Sequence, residues 1–505
     1  MESVEHRGLT RGQFLRAAGG AAAGMAWAGP EAASAAAAAL RAADRRGASA
    51  LYHTFRSRPD LRPPQAAVRR RGHASERGDG YWFLTAGTNA KAENGLLILD
   101  QHGNPVWFKP TPRGWFAMDF RAQTYRGKPV LTWWQGTIFG VGVVVIMDTS
   151  YTEVARIHAG NGHQVDPHEV LLTPEGTALI TCSPSTVAAD LSSVGGSQRG
   201  QVAESVIQEV DVESGEVLLE WRSLDHVPVS ESYMWAGGGV YDYMHANSID
   251  VTPDGNLLVS GRHTWALYKL ERRTGQVMWR LGGKRSDFAM GPGAQFAWQH
   301  DARQLDERTI TVFDDGAAFF EGDHRYRATH RQSRGLALQV DHSARRAKLS
   351  RAYQHPPALL AGGYGNMQTL ADGDVAVGWG NLPVASQFDA AGALLEDVNL
   401  ASIYASYRAF KLPWTATPAR PPAVATGRRL GGRGTIIYAS WNGTTACTAW
   451  GLRAGADPTR LRRVASGPRT GFETAIAIPQ TSGYVEATAL DSAGRELARS
   501  GPVKL

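Results

Sequence analysis

Cysteine is nearly missing from this chain: 2 among 505 residues, Cys182 and Cys447, far apart in sequence. That excludes a disulfide framework and a four-ligand cysteine zinc site. Long apolar runs are missing as well. Nothing beyond the N-terminus approaches the ~20 consecutive apolar residues that span a bilayer, so no stable membrane insertion is expected. Nor does charge of one sign dominate, since 53 Lys+Arg face 47 Asp+Glu, a net +6 scattered along the chain. Such a balance argues against nucleic acid as the main partner. Composition also excludes a collagen-like, coiled-coil or disordered chain. What is plentiful is glycine, at 57 residues, and tryptophan, whose 15 copies equal those of Phe or Tyr. The length is enough to bury a large core without covalent staples. A globular protein of many short strands remains.

The N-terminus reads as an address. Arg7, Arg11 and Arg16 precede an apolar, alanine-rich run over 17–28, and Ala33-Ser34-Ala35 supplies a small-residue cleavage site. Residues 1–35 are expected to be a secretory signal peptide, placing the mature chain outside the cell or at its surface. Residues 10–16 are similar to a twin-arginine export motif with Gly12 in place of the second arginine, so twin-arginine and general secretion both stay open.

Internal repeats organise the rest. A strand–turn–strand pattern recurs at 96–108, 143–157, 207–221, 267–281, 336–353 and 386–398, each with Gly or Ser in the turn. A second such pattern precedes several of these, beginning at His168, His245, His300 and around Asn366–Gln368. The steps from His168 to His245, His300 and Gln368 are 77, 55 and 68 residues, so some units carry insertions. Two hairpins make a four-stranded unit, and radial repetition of such units makes a β-propeller. The expected fold is all-β: a six-bladed propeller over 76–412, a lead-in over 36–75 and a Pro-rich linker over 413–422. A small C-terminal β-sandwich of immunoglobulin or fibronectin type follows over 423–505.

The first strand of a blade lines the propeller axis, so equivalent residues converge there. His168, His245 and His300 hold one repeat position, with Asn366 or Gln368 in a fourth copy. Arg262, 17 residues after His245, ends the next strand of the same blade. Three imidazoles and a guanidinium in one cleft suit a tetrahedral oxyanion such as sulfate or phosphate. A purely structural role for repeated polar residues is the competing reading. A zinc site of three imidazoles is another, although Arg262 opposes a divalent ion; no metal or other cofactor is expected. Asn247, Tyr243, Trp265 and Trp298 are the candidate substrate-binding residues, with ring stacking weighed against plain packing for the aromatics. His163 and His263 read as bystanders.

Four segments, HEVLLTPEGTALIT from His168, HANSIDVTPDGNLLVSGRH from His245, WQHDARQLDERTITVFDDG around His300 and GNMQTLADGDVAVGWG from Gly365, resemble the arylsulfotransferase family in its actinobacterial and fungal-type branch. The lead-in SRPDLRPP, the tail SYRAFKLPWTATP and the C-terminal SWNG and GFET fit as well. The resemblance implies a six-bladed propeller that moves a sulfuryl group from a phenolic sulfate ester to a phenol, without a nucleotide sulfate donor. It implies His300 as the nucleophile that is transiently sulfated, with His168, His245 and Arg262 around the sulfuryl group. Its partners would be small aromatic sulfate esters and phenols. Two departures stand out: a sandwich at the C-terminus instead of the N-terminus, and a short spacing from Arg262 to His300. Outside this family, a propeller that binds without chemistry and a metal-dependent hydrolase or lyase are the alternatives.

Overall fold

The apolar runs that flank the turns are continuous, and the fold explains why. In Leu96–Leu99 all four side chains are buried, Leu96 and Ile98 on one face of the sheet and Leu97 and Leu99 on the other. Val143–Met147 divides the same way: Val143, Val145 and Met147 pack to one side, Val144 and Ile146 to the other. A sheet covered on both faces needs apolar residues at every position, while successive side chains still alternate sides.

The computed structural model describes residues 51–71, 80–87, 93–137, 141–237, 239–320, 325–428 and 434–505. The expected signal peptide and its export motif lie outside these residues. Among the described residues no helix is long and apolar enough to cross a membrane.

Six sheets, each built on four antiparallel strands, form the propeller. Blades 1 to 6 begin at the axis with the strands Ala409–Leu412, Phe116–Tyr125, Val165–Leu172, Ala246–Val251, His300–Gln304 and Asn366–Thr369. The six hairpins read from the sequence are the outer strand pairs of the six blades. A separate apolar cluster fills each of the six blade–blade faces. Blade 1 takes its innermost strand from the far end of the propeller chain, pairing Ala409–Leu412 with Tyr81–Ala86, which closes the ring.

Two expectations about boundaries change. Ala66–Arg70, within the expected lead-in, pairs with Leu394–Leu400 as a fifth, outermost strand of blade 6, so the propeller begins before residue 76. The segment 413–422 is no free linker, because Trp414 and Ala416 are buried and Thr417 and Ala419 donate to the carbonyls of Thr149 and Ser150. Beyond it, one sheet of three strands and one of five enclose a core of Ile437, Trp441, Trp450, Leu452 and Val485. This C-terminal unit docks on blades 1 and 2. Asn442 pairs with both backbone groups of Phe108 at 2.9 Å, and the Tyr151 hydroxyl donates to Gly443 O at 2.8 Å.

Candidate active site

Neighbouring inner strands have no backbone ladder between them, so their polar groups need other partners. Side chains supply them. Asn366 pairs with both backbone groups of Ala409, and Gln368 does the same for Lys411. Gln123 accepts from Leu172 N and donates to Val170 O. Deeper on the axis, Arg408 is fully buried against Asp119 (2.7 Å), Glu169 (3.2 Å) and Asp301 (3.5 Å). Arg121 and Arg303 complete this plug, both pairing with Glu169. Three guanidiniums meet three carboxylates, so each buried charge is compensated, and the cations hold the Glu169 carboxyl far below its usual range.

Above the plug the ladder between first and second strands slips in blades 2, 3, 4 and 5. Such bulges re-aim side chains, and here they turn the histidines toward a common space. His168 and His245 meet edge to face with ring centroids 4.9 Å apart. Tyr407 stands between His168 (5.8 Å) and His300 (6.5 Å), its hydroxyl donating to His168 O. His245, Trp265, Trp298, Asp301 and Tyr364 hold left-handed φ values of 56°, 50°, 60°, 53° and 70°. Non-glycine residues rarely sit there, and such strain collects at functional sites.

Each histidine is held by its own aspartate. Nδ1 of His168 bonds Asp166, that of His245 lies 2.6 Å from Asp242, and that of His300 lies 2.8 Å from Asp315. A carboxylate at Nδ1 places the proton there and leaves Nε2 for chemistry. For His300 the backbone N–H of Tyr364 points at Nε2 from 3.3 Å, the placement of a donor against an unprotonated nitrogen. Burial first, and then the charge of Arg262, push His300 well below the usual imidazole range, so it is neutral.

The turn joining the second and third strands of blade 4 carries Arg262, His263 and Trp265. His263 is no bystander. Its Nδ1–H donates to Asp242 O at 2.7 Å, and its Nε2 accepts from Arg262 Nη1 at 2.9 Å. Burial lowers its pKa from 6.5 to about 3. Arg262 also donates to Gly362 O at 3.0 Å and lies over the Trp298 ring at 5.5 Å. Among the described residues no carboxylate comes within ion-pair distance of its guanidinium.

The remaining sequence candidates separate. Trp298 and Trp265 meet edge to face at 5.2 Å beside Arg262, within reach of the site. Asn247 is buried and donates to Gln299 O at 2.7 Å, while its own carbonyl accepts from Arg408. It therefore joins blade 4 to blade 5 instead of facing a ligand. Tyr243, in the loop before the inner strand of blade 4, is buried in the core between blades 3 and 4. His163 sits away from the cluster, near Ser185 and Glu220. Asn366 and Gln368 are committed to the ring closure described above. The carboxylate partners, Tyr364 and Tyr407 were not found from sequence, although Asp166 and Asp242 lie two and three residues before their histidines.

Asp242, His245 and His263 each offer one ligand atom, all within 4.8 Å of one another. Those atoms already bond one another or Arg262, whose positive charge at 2.9 Å opposes a divalent ion. The arrangement suits an anion better. A guanidinium that no described carboxylate reaches within ion-pair distance and histidine nitrogens on the same cleft together match the oxygens of a sulfuryl or phosphoryl group.

No curated protein matches the chain. Similar solved structures include a protein of unknown function from Bacteroides caccae, at 15% identity, covering 66% of this chain and 99% of that one, with a TM-score of 0.40. Another is a catalytically inactive virginiamycin B lyase from Staphylococcus aureus with quinupristin, at 8% identity, 74% and 96% coverage and a TM-score of 0.34. A family model described as arylsulfotransferase (ASST) matches residues 121–399, over half of the chain and from the inner strand of blade 2 to the outer strands of blade 6. His168, His245, Arg262 and His300 all fall inside that span, and the chain belongs to the arylsulfotransferase family.

Proposed function

We propose that this arylsulfotransferase carries a sulfuryl group from an aryl sulfate to a phenol through a sulfated His300. The observation that carries the reading is the half-buried Arg262, a cation with no described carboxylate within ion-pair distance, beside a neutral imidazole. The Tyr364 N–H releases His300 Nε2, which attacks sulfur in line with the ester oxygen; an N–S bond forms and the S–O bond to the aryl group breaks. Arg262 stabilises charge on the sulfuryl oxygens. His168 or His245, protonated at Nε2 while its aspartate holds Nδ1–H, passes that proton to the departing phenolate. The acceptor phenol returns a proton to the same nitrogen and takes the sulfuryl group, restoring His300.

The test is to replace His300 with Asn and measure transfer from 4-nitrophenyl sulfate, alongside mass spectrometry of the chain after exposure to that donor alone. The expected result is loss of transfer, with a sulfuryl adduct on His300 in the unaltered protein. Turnover that survives His300→Asn, or a chain that never carries the adduct, overturns the assignment. Loss of turnover to a chelator favours the metal reading instead.

The mature protein acts outside the cytoplasm in this proposal, after cleavage behind Ala35. N-terminal sequencing of exported protein checks this.

A further inference from the structure

Asp315 differs from the other two aspartates that hold the histidines. Asp166 accepts from the His168 backbone N–H at 3.0 Å and the Thr181 hydroxyl at 3.2 Å as well as from its imidazole. Asp242 faces two imidazoles, at 2.6 Å from His245 and 3.6 Å from His263. Burial works against its charge, yet the two rings hold its carboxyl far below the usual range. Asp315 has neither kind of support. Its side chain is fully buried, Oδ2 meets His300 Nδ1 at 2.8 Å, and Oδ1 has no hydrogen-bond partner among the described residues. Burial pushes its carboxyl well above the usual carboxylate range. Arg262 pulls the other way from beyond ion-pair distance, and the neighbouring Asp314, itself paired with Arg334 and His330, adds a further push up.

A buried carboxylate with so few donors is a strong base, and the reaction proposed for His300 supplies the acid. A sulfuryl group on Nε2 withdraws electrons from the ring, so Nδ1–H becomes far more acidic than in an ordinary imidazole.

We infer that Asp315 takes the Nδ1 proton of His300 as the ring is loaded and returns it as the ring is discharged. The inference rests on the sulfohistidine reading above. In the loading step the N–S bond forms at Nε2 and the aryl oxygen leaves with the S–O electron pair. The Nδ1–H bond breaks, its pair stays on Nδ1, and the proton joins Oδ2. The negative charge of the pair has then moved from the carboxylate to the sulfuryl oxygens beside Arg262. In the discharging step the acceptor oxygen bonds sulfur, the N–S pair returns to Nε2, and Oδ2–H gives its proton back to Nδ1. The ring therefore departs as neutral imidazole and not as an imidazolate. Asp315 acts through His300 and touches no substrate.

The experiment exposes the full chain, with isotopically labelled histidine nitrogens, to 4-nitrophenyl sulfate without acceptor. Nitrogen NMR, infrared difference spectroscopy and mass spectrometry follow the adduct. The expected result is a His300 adduct whose Nδ1 carries no proton, together with a new protonated-carboxyl band that is missing from Asp315→Asn. In that variant the adduct forms about 10–100-fold more slowly and, with its ring held as a cation, is lost to water faster than in the unaltered chain. A role confined to holding the ring in place would lower the rate without moving the band or the adduct's lifetime. An adduct in the unaltered chain that keeps its Nδ1 proton overturns the inference, whether or not Asp315→Asn folds, and so does a carboxyl band that persists in that variant. A chain that forms no adduct overturns the sulfohistidine reading and this inference with it, whereas an adduct beside an ionised Asp315 overturns this inference alone.

Discussion

Blades 3, 4 and 5 present the same inner-strand surface to the axis as blades 6, 1 and 2, and the two halves use it differently. In blades 6 and 2 the side chains there are amides: Asn366, Gln368 and Gln123 each satisfy a backbone N–H and C=O of the adjoining strand. An amide suits that task because it carries both a donor and an acceptor. In blades 3 to 5 the repeat position holds an imidazole whose Nδ1 is committed to an aspartate. Joining of these blades falls to other residues, among them Asn247, Ser248 and Asp250, which bond Gln299 O, Ala302 N and Gln304 N. Because the joints are made elsewhere, the histidines are released for chemistry. The inner strands thus divide the two tasks between neighbouring residues: some side chains join blade to blade, and the histidines beside them do not.

Substitutions can break this contrast. The largest effect expected is from His300→Asn, a fall in transfer rate of about 10³-fold or more, as for removal of a nucleophile; steady-state assay with a phenolic acceptor measures it. Arg262→Gln follows, with kcat lower by about 10²–10³-fold, in line with loss of one charge-stabilising donor. Asp166→Asn and Asp242→Asn leave the rings in place without the carboxylate that fixes their tautomer, and each lowers kcat about 10–100-fold with little change in KM. Asn366→Ala belongs to the closing half. It costs about 1–3 kcal/mol of stability in urea unfolding, by leaving buried backbone groups unpaired, while kcat is unchanged. A comparable loss of kcat in Asn366→Ala would erase the distinction between the halves.

A separate effect lies in the pH dependence of stability and leaves turnover at neutral pH untouched. His263 is neutral in the fold down to about pH 3, whereas the unfolded chain takes up its proton near 6.5. Between those values the unfolded state binds the extra proton, so stability is fully present above pH 6.5 and is lost as the pH falls toward 3. The slope is about 1.4 kcal/mol per pH unit for one such group. Urea unfolding of His263→Asn across that range should show a shallower slope than the unaltered chain.

Reach along the chain decided what the sequence revealed. The six outer hairpins were legible because turn residues and flanking strands lie within about 15 residues of each other, where local rules apply. The shared position of His168, His245 and His300 was legible because repetition marks it. Ala66–Arg70 gave no sign of joining blade 6, since its partner is more than 300 residues away. Tyr407 and Arg408 were hidden for the same reason, with 239 residues separating Tyr407 from the His168 carbonyl it bonds. Asp315 is 15 residues from His300, just past the end of the next strand, and the pairing of that strand with the His300 strand brings them together. His263 was set aside because its role depends on the turn that folds it back onto Asp242, which no spacing rule describes.

The plug formed by Arg408 with Asp119, Glu169 and Asp301 fills the propeller axis beside the histidines with paired charges, and in the proposed cycle it would leave one approach to them. In the proposed cycle, whatever enters beside His168 and His245 has to back out by the same way. The first phenol must therefore clear the opening before the second can reach the loaded histidine. In the proposed cycle traffic is one at a time, and a crowd of either phenol delays the other: an excess of released phenol should slow net turnover by occupying the approach and by taking the sulfuryl group back from His300.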